Sequence, residues 1–143
     1  MSPAPSSAVP PAQQALRDRC VHATGTWRPF PDPPAAGTIV ARFEAIAREH
    51  ASRVAVSEGG RRLTYADLDA LANRMAHGVL RATGPGVEPV AVLFEHGVPM
   101  LATLLGVLKA GKFYVPLSPQ DPPARLAHIV GDSTARLIVA DAA

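Results

Sequence analysis

The sequence predicts an α/β fold: an incomplete doubly wound parallel sheet, with a small N-terminal β-hairpin and a Pro-rich, mostly irregular N-terminal arm. Three observations predict it. The apolar runs at 90–94, 113–115 and 137–139 lack polar alternation, as strands covered on both faces do. Segments with helical spacing separate these runs, which favours parallel pairing through right-handed crossovers. Gly59-Gly60 divides two short β-prone segments and supplies the positive φ of a tight hairpin turn.

The arm comes first. Residues 1–36 hold eight of the fifteen prolines. Proline fixes φ and removes a backbone donor, so this stretch cannot build ladders or long helices. Residues 13–22 have room for one or two helical turns. Trp27 and Phe30 are large rings in a polar setting and are expected to dock on the neighbouring domain. The domain boundary falls near Gly37, giving a 1–36 arm and a 37–143 domain.

Thr38 is placed to cap a first helix, whose stripe is Ile39, Phe43, Ile46 and Ala47. Val54-Ala55-Val56 and Arg61 to Thr64 form the hairpin strands. Thr64-Tyr65-Ala66-Asp67 reads as a capping box. Leu68, Leu71, Met75 and Val79 then recur at helical spacing beside Ala72 and Ala76, while Asp69, Asn73 and Arg74 take the wetter side. Gly84 and Pro85 stop that helix.

After the first buried strand, Pro99 suits the opening turn of a helix. Leu101, Leu104, Leu105 and Leu108 are spaced i, i+3, i+4, i+7, and the helix is apolar nearly all round, so it should be well buried. Gly111 supplies a left-handed turn, Phe113-Tyr114-Val115 the next strand, and Pro116 its end. Asp121 is expected to cap a last helix with Pro122 at its first position. Leu126, Ile129 and Val130 form that helix's face, and Gly131 stops it. Leu137-Ile138-Val139 completes the order as an apolar strand at the sheet's margin.

Composition narrows the function classes. Hydrophobic residues at 48% and charged residues at 18% are globular values. The net charge is +2, and the arginines form no run longer than Arg61-Arg62, so a nucleic-acid surface is not expected. Cys20 is the single cysteine, which excludes an internal disulfide and is read as a buried or idle thiol. No apolar run reaches membrane-spanning length, and no signal peptide is visible at the N-terminus, so a cytoplasmic location is expected.

No catalytic constellation is legible. His22, His50, His77, His96 and His128 are too widely spaced for a zinc helix and read as structural or surface groups. His96 is the most interesting, because it follows a strand of an α/β sheet. Gly84-Pro85-Gly86 lies between helix and strand, the wrong order for a phosphate cradle. Glu95-His96-Gly97-Val98 has the right order but one glycine and no Lys or Ser. Asp121, Asp132 and Asp141 read as caps or turn residues. Lys109 and Lys112 sit near a helix C-terminus, where cations offset the negative end of the dipole. Catalytic, cofactor-binding and metal-ligating residues are therefore all expected to be none.

Two stretches nonetheless resemble a known family. Leu63-Thr64-Tyr65-Ala66-Asp67-Leu68 resembles the first core motif of amino-acid adenylation domains, the AMP-forming modules of nonribosomal peptide synthetases. Leu108-Lys109-Ala110-Gly111-Lys112-Phe113-Tyr114-Val115-Pro116-Leu117 resembles the second. Phe43-Glu44, Ala72 to His77, Pro122 to Leu126 and Trp27 to Pro31 are similar to supporting segments. Lys112 and Phe113 stand where the family commonly has small residues, and Ser118 where aspartate is usual.

The resemblance covers about residues 24–143 and implies a reaction. Complete members of this adenylate-forming superfamily join a carboxylate to ATP, release pyrophosphate, and often pass the acyl group to a carrier-protein thiol. ATP and Mg are implied only for such a complete member, and no cofactor for this chain. The family's phosphate loop, ribose-binding acid and lid lysine would lie beyond Ala143. The chain alone is thus expected to be an inactive N-terminal portion. Its expected partners are the remainder of the adenylation domain or a carrier protein. A non-catalytic partner of a separate adenylation chain is the alternative, and an unrelated nucleotide-binding α/β protein a third reading.

Overall fold

The computed structural model describes residues 10, 11, 13–15 and 37–141. Residues 11 and 13–15 are helical. The expectations for Cys20, His22, Trp27 and Phe30 lie outside the described residues. The chain divides after Ala36, and the elements that follow lie within 37–141.

Nine elements follow one another: α1 (Ile39–Glu49), β1 (Val54–Glu58), β2 (Arg61–Thr64), α2 (Tyr65–Thr83), β3 (Pro89–Leu93), α3 (Val98–Lys109), β4 (Phe113–Leu117), α4 (Pro123–Ser133) and β5 (Leu137–Ala140). β1 and β2 pair antiparallel as a separate hairpin. Gly59 and Gly60 turn it with φ of +54° and +83°, a conformation that side chains resist. The main sheet has the order β4-β3-β5, all parallel. The step from β3 to β4 and the return from β4 across β3 to β5 run in opposite directions. Right-handed crossovers then put α3 and α4 on opposite faces, which is the doubly wound pattern.

The core lies on the α2/α3 side. Val90, Val92 and Phe94 project from and just beyond β3 towards Ala76 and Val79 of α2 and Val107 of α3, with Leu137 and Val139 of β5 packed alongside. Ala91, on the alternate side of β3, is also fully buried. Burial on both sides explains why β3 reads as an unbroken apolar run.

Several helices end where local chemistry says. Thr38 Oγ1 accepts from Ala41 N at 3.1 Å and caps α1. Thr64 and Asp67 form both halves of a capping box: Asp67 N donates to Thr64 Oγ1 at 3.1 Å and Thr64 N to Asp67 Oδ2 at 3.0 Å. Thr64 Oγ1 also donates to Asp67 Oδ2 at 2.7 Å, and this bond, with the smaller help of Thr64 N, holds the Asp67 carboxyl below its ordinary value of 3.8. A depressed carboxyl stabilises the fold above its unfolded value, and that contribution is lost as pH falls through the lower folded value. In urea titrations, the stability gap between wild type and Asp67→Asn is therefore expected to be full near neutral pH. It should shrink below 3.8. A gap that does not change with pH would show that the charge on Asp67 adds nothing.

The structure corrects five local expectations. Ile39 is 68% exposed and leaves the stripe of α1, because it sits on the first turn, where no described residue covers it. The most buried residues of α3 are Val98, Ala102, Thr103, Gly106 and Val107; its leucines are only partly covered, Leu104 packing against the core and Leu101 37% exposed. The small residues let α3 approach α2 closely, and that contact decides the face. Pro116 does not end β4 but pairs within it, opposite Val92. β4 is an edge strand, where a missing N–H on the open side costs no ladder bond. Asp121 does not cap α4: Pro122 occupies the cap without a side-chain bond, and Asp121 instead lies 3.6 Å from Arg125. Gly131 does not stop α4, which runs to Ser133 and ends on Thr134 in the left-handed conformation; Asp132 accordingly lies inside the helix.

Candidate functional site

The second motif places two lysines three residues apart, on either side of the turn at Gly111. They point to different places. Lys109 ends α3 and reaches across the helical layer, with its side chain 6% exposed. Its Nζ donates to Glu44 Oε1 of α1 at 2.5 Å and lies 2.9 Å from Asp69 Oδ1 of α2. It also sits 5.9 Å from the centroid of the Phe43 ring, a cation–π contact. Phe43 in turn packs against Tyr65, with ring centroids 6.5 Å apart. One ammonium thus ties α1, α2 and α3 together. Burial pulls its pKa down, but the bonds to Asp69 and Glu44 outweigh that and hold it above the ordinary lysine value. Asp69, assigned above to the wetter side, faces this cluster because its ammonium partner lies 40 residues further along the chain.

Lys112 is fully buried. Its Nζ donates to Gly84 O at 3.1 Å, Gly86 O at 3.0 Å and Glu88 Oε1 at 2.7 Å. An ammonium has three donors, and all three are used. The contact to Lys112 holds the Glu88 carboxyl below the usual carboxylate range. Neither lysine serves chiefly to offset a helix dipole, as expected above. Each satisfies acceptors 24 to 65 residues distant.

The loop after β3 is equally committed. Val98 N, at the start of α3, donates to Glu58 Oε2 of the hairpin at 3.2 Å. A helix N-terminus favours an anion, and here the chain's own carboxylate provides it. Gly97 makes room for it: a Cβ there would lie 2.4 Å from Glu58 Oε1. His96 is exposed. Nearby, Gln120 Nε2 donates to Glu95 Oε1 at 3.1 Å. His77 and His128 are exposed, and His50 lies 3.6 Å from Glu49. Among the described residues, no group of His, Cys, Asp and Glu could hold a metal ion. No helix among them is long and apolar enough to cross a membrane.

Two open features remain among the described residues: a pocket of about 430 Å³ lined by Thr38, Ile39, Val40 and Leu108, and a groove beside β5. The groove, of about 290 Å³, runs between α2 and β5, lined by Arg74, Met75, Gly78 and Ala82 on one side and 137–140 on the other. Ile138, which also borders this groove, is 49% exposed.

Comparison with known proteins agrees with this picture. The AMP-binding enzyme family model matches residues 43–143. The chain is 43% identical over 104 residues to syringomycin synthase SyrB1 of Pseudomonas syringae pv. syringae, covering 71% of this chain and 16% of that protein. It is 39% identical over 103 residues to surfactin synthase subunit 2 of Bacillus subtilis, covering 71% of this chain and 3% of that protein. It therefore spans a small part of each. Among solved structures, the N-terminal subdomain of Klebsiella oxytoca NpsA superposes with a TM-score of 0.68 at 22% identity, covering 74% of this chain and 28% of that one. The nonribosomal peptide synthetase FmoA3, bound to α-methyl-L-serine-AMP, gives 0.73 at 29% identity, covering 78% and 12%. The chain belongs to the AMP-binding enzyme family, and the stretch it represents is an N-terminal part of an adenylation domain.

Proposed function

We propose that this chain is scaffold for amino-acid activation: it shapes and steadies part of an adenylation domain in which a carboxylate reacts with ATP to give an acyl-adenylate and pyrophosphate. One observation carries the reading. Both motif lysines are engaged in internal bonds, so the motif that looks chemical is mechanical. Lys109 bolts three helices, and Lys112 fixes the loop before β3. A catalytic lysine must present free donors to developing charge; Lys112 has none to spare, and Lys109 is held by two carboxylates. ATP and Mg belong to the complete domain.

The test is ATP–pyrophosphate exchange with the isolated chain and the common amino acids. No exchange above background is expected. Exchange that depends on one amino acid would overturn the scaffold reading and place catalytic groups within these 143 residues.

The open β5 edge favours a second reading, in which a separate polypeptide completes the sheet. A strand added beside β5 would cover Ile138, and a helix beside α2 would fill the groove. Light scattering decides this reading. A clean monomer at high concentration would argue against any such need.

A further inference from the structure

The chain has fourteen basic side chains, twelve arginines and two lysines. Those among the described residues sort by depth in an unusual direction. The nine arginines among the described residues (42, 48, 53, 61, 62, 74, 81, 125 and 136) are all exposed. Both lysines are buried, with side chains 6% and 0% exposed. Lysine is ordinarily among the residues least often buried, and arginine is the usual choice for interior ion pairs. Here the ε-amines are inside and the guanidinium groups outside.

We propose that the folded chain is closed to acyl transfer at its own lysines: Lys109 and Lys112 are sealed by their ion pairs, and acylation of either requires local opening of the fold. The chemistry is specific. An amine lone pair attacks the acyl carbonyl, an N–C bond forms, and the C–O bond to the leaving group breaks. The leaving group departs with its electron pair, and the amine proton passes to solvent. The attack needs a deprotonated nitrogen that the acyl donor can reach. Lys112 has three N–H groups held by Gly84, Gly86 and Glu88, leaving no approach. Lys109 is enclosed by Glu44, Asp69 and the Phe43 ring. Its partners also keep it protonated further into alkaline pH than an ordinary lysine.

The use of this arrangement rests on the adenylation reading above. An acyl-adenylate is a mixed anhydride that acylates amines, with AMP as the leaving group. A fold that shelters its ε-amines is not damaged by its own product, and its three-helix bolt stays intact.

The test uses a synthetic donor and so does not depend on adenylation. The intact chain is treated with the sulfonated N-hydroxysuccinimide ester of acetic acid at mildly alkaline pH, and peptide mass spectrometry follows each site. An Arg61→Lys variant supplies an exposed reference amine on the hairpin turn. Lys109 and Lys112 are expected to acetylate at least about 100-fold more slowly than Lys introduced at that position, since reaction waits for opening. In concentrated urea all three should react at similar rates. A Glu44→Gln variant should speed Lys109 while leaving Lys112 protected. Acetylation of either native lysine within about tenfold of the reference overturns the proposal. Exchange activity, measured separately, judges the adenylation reading alone.

Discussion

Gly106→Ala is expected to destabilise the domain by about 3 kcal/mol, the range for overpacking a close helix contact. A Cβ at this position would lie 2.5 Å from Met75 Cβ, 2.9 Å from Ala72 O and 3.1 Å from Ala76 N. Two of the three obstacles are backbone atoms of α2, so no rotamer change relieves them. The helices must separate. Separation uncovers Ala72 and Thr103, both fully buried in the native packing. Thr103 Oγ1 already lacks a hydrogen-bond partner there, so the site has no polar bond to preserve, only packing. Gly131→Ala is the internal control. It lies within α4 with nothing within 4 Å of its would-be Cβ. Alanine is the better helix former, so that change should stabilise by about 0.5–1 kcal/mol. Urea unfolding of the two variants should therefore move in opposite directions. Equal shifts would mean that helix propensity, not the α2–α3 contact, governs both positions.

Gly106 also marks where reading the sequence stops. The leucines of α3 recur at helical spacing, and a local rule puts the largest apolar residues inside. The structure buries the small ones, because backbone-to-backbone approach of two helices depends on a residue 30 positions away in the chain. The hairpin and the α2 cap were legible for the opposite reason. Gly59-Gly60 and Thr64 with Asp67 make their bonds within a few residues, so the sequence shows both partners at once. The parallel sheet was legible through its burial: β3 is covered on both faces and reads as an apolar run. Asp121 failed as a cap although its type suits one. Nothing local distinguishes a cap from an i, i+4 partner of Arg125. The lysines were placed correctly at a helix end but given the wrong role. Their true partners lie 24 to 65 residues away, and only the fold brings them together. One signal was present for Lys112: a charged residue stands in an apolar setting where related motifs carry a small one. Such a residue has to be paired when the fold closes over it.

That pairing makes Lys112→Met the second large effect, an expected loss of about 2–3 kcal/mol. Methionine matches the length and fills the space, so packing is preserved while the three bonds vanish. Gly84 O then keeps only the long 3.5 Å contact from Thr83 Oγ1, and Gly86 O loses its lysine donor. Gly84 and Gly86 hold φ of +73° and +134°, so the loop adopts a course that suits those carbonyls and little else. Glu88 is less affected, since 29% of its side chain reaches solvent and water can replace the ammonium. Glu88→Gln should accordingly cost far less than Lys112→Met, although both remove the same ion pair. Lys112→Arg should not rescue: the guanidinium is a broader, planar fork, and the site encloses a compact ammonium with no room to spare. Hydrogen exchange separates this account from a general loss of stability. Amides at 84–88 should open in Lys112→Met well before those of α2 and β3. If the whole domain instead opens as one unit with unchanged midpoint in urea, the ammonium is a passenger and the loop is held by its glycines alone.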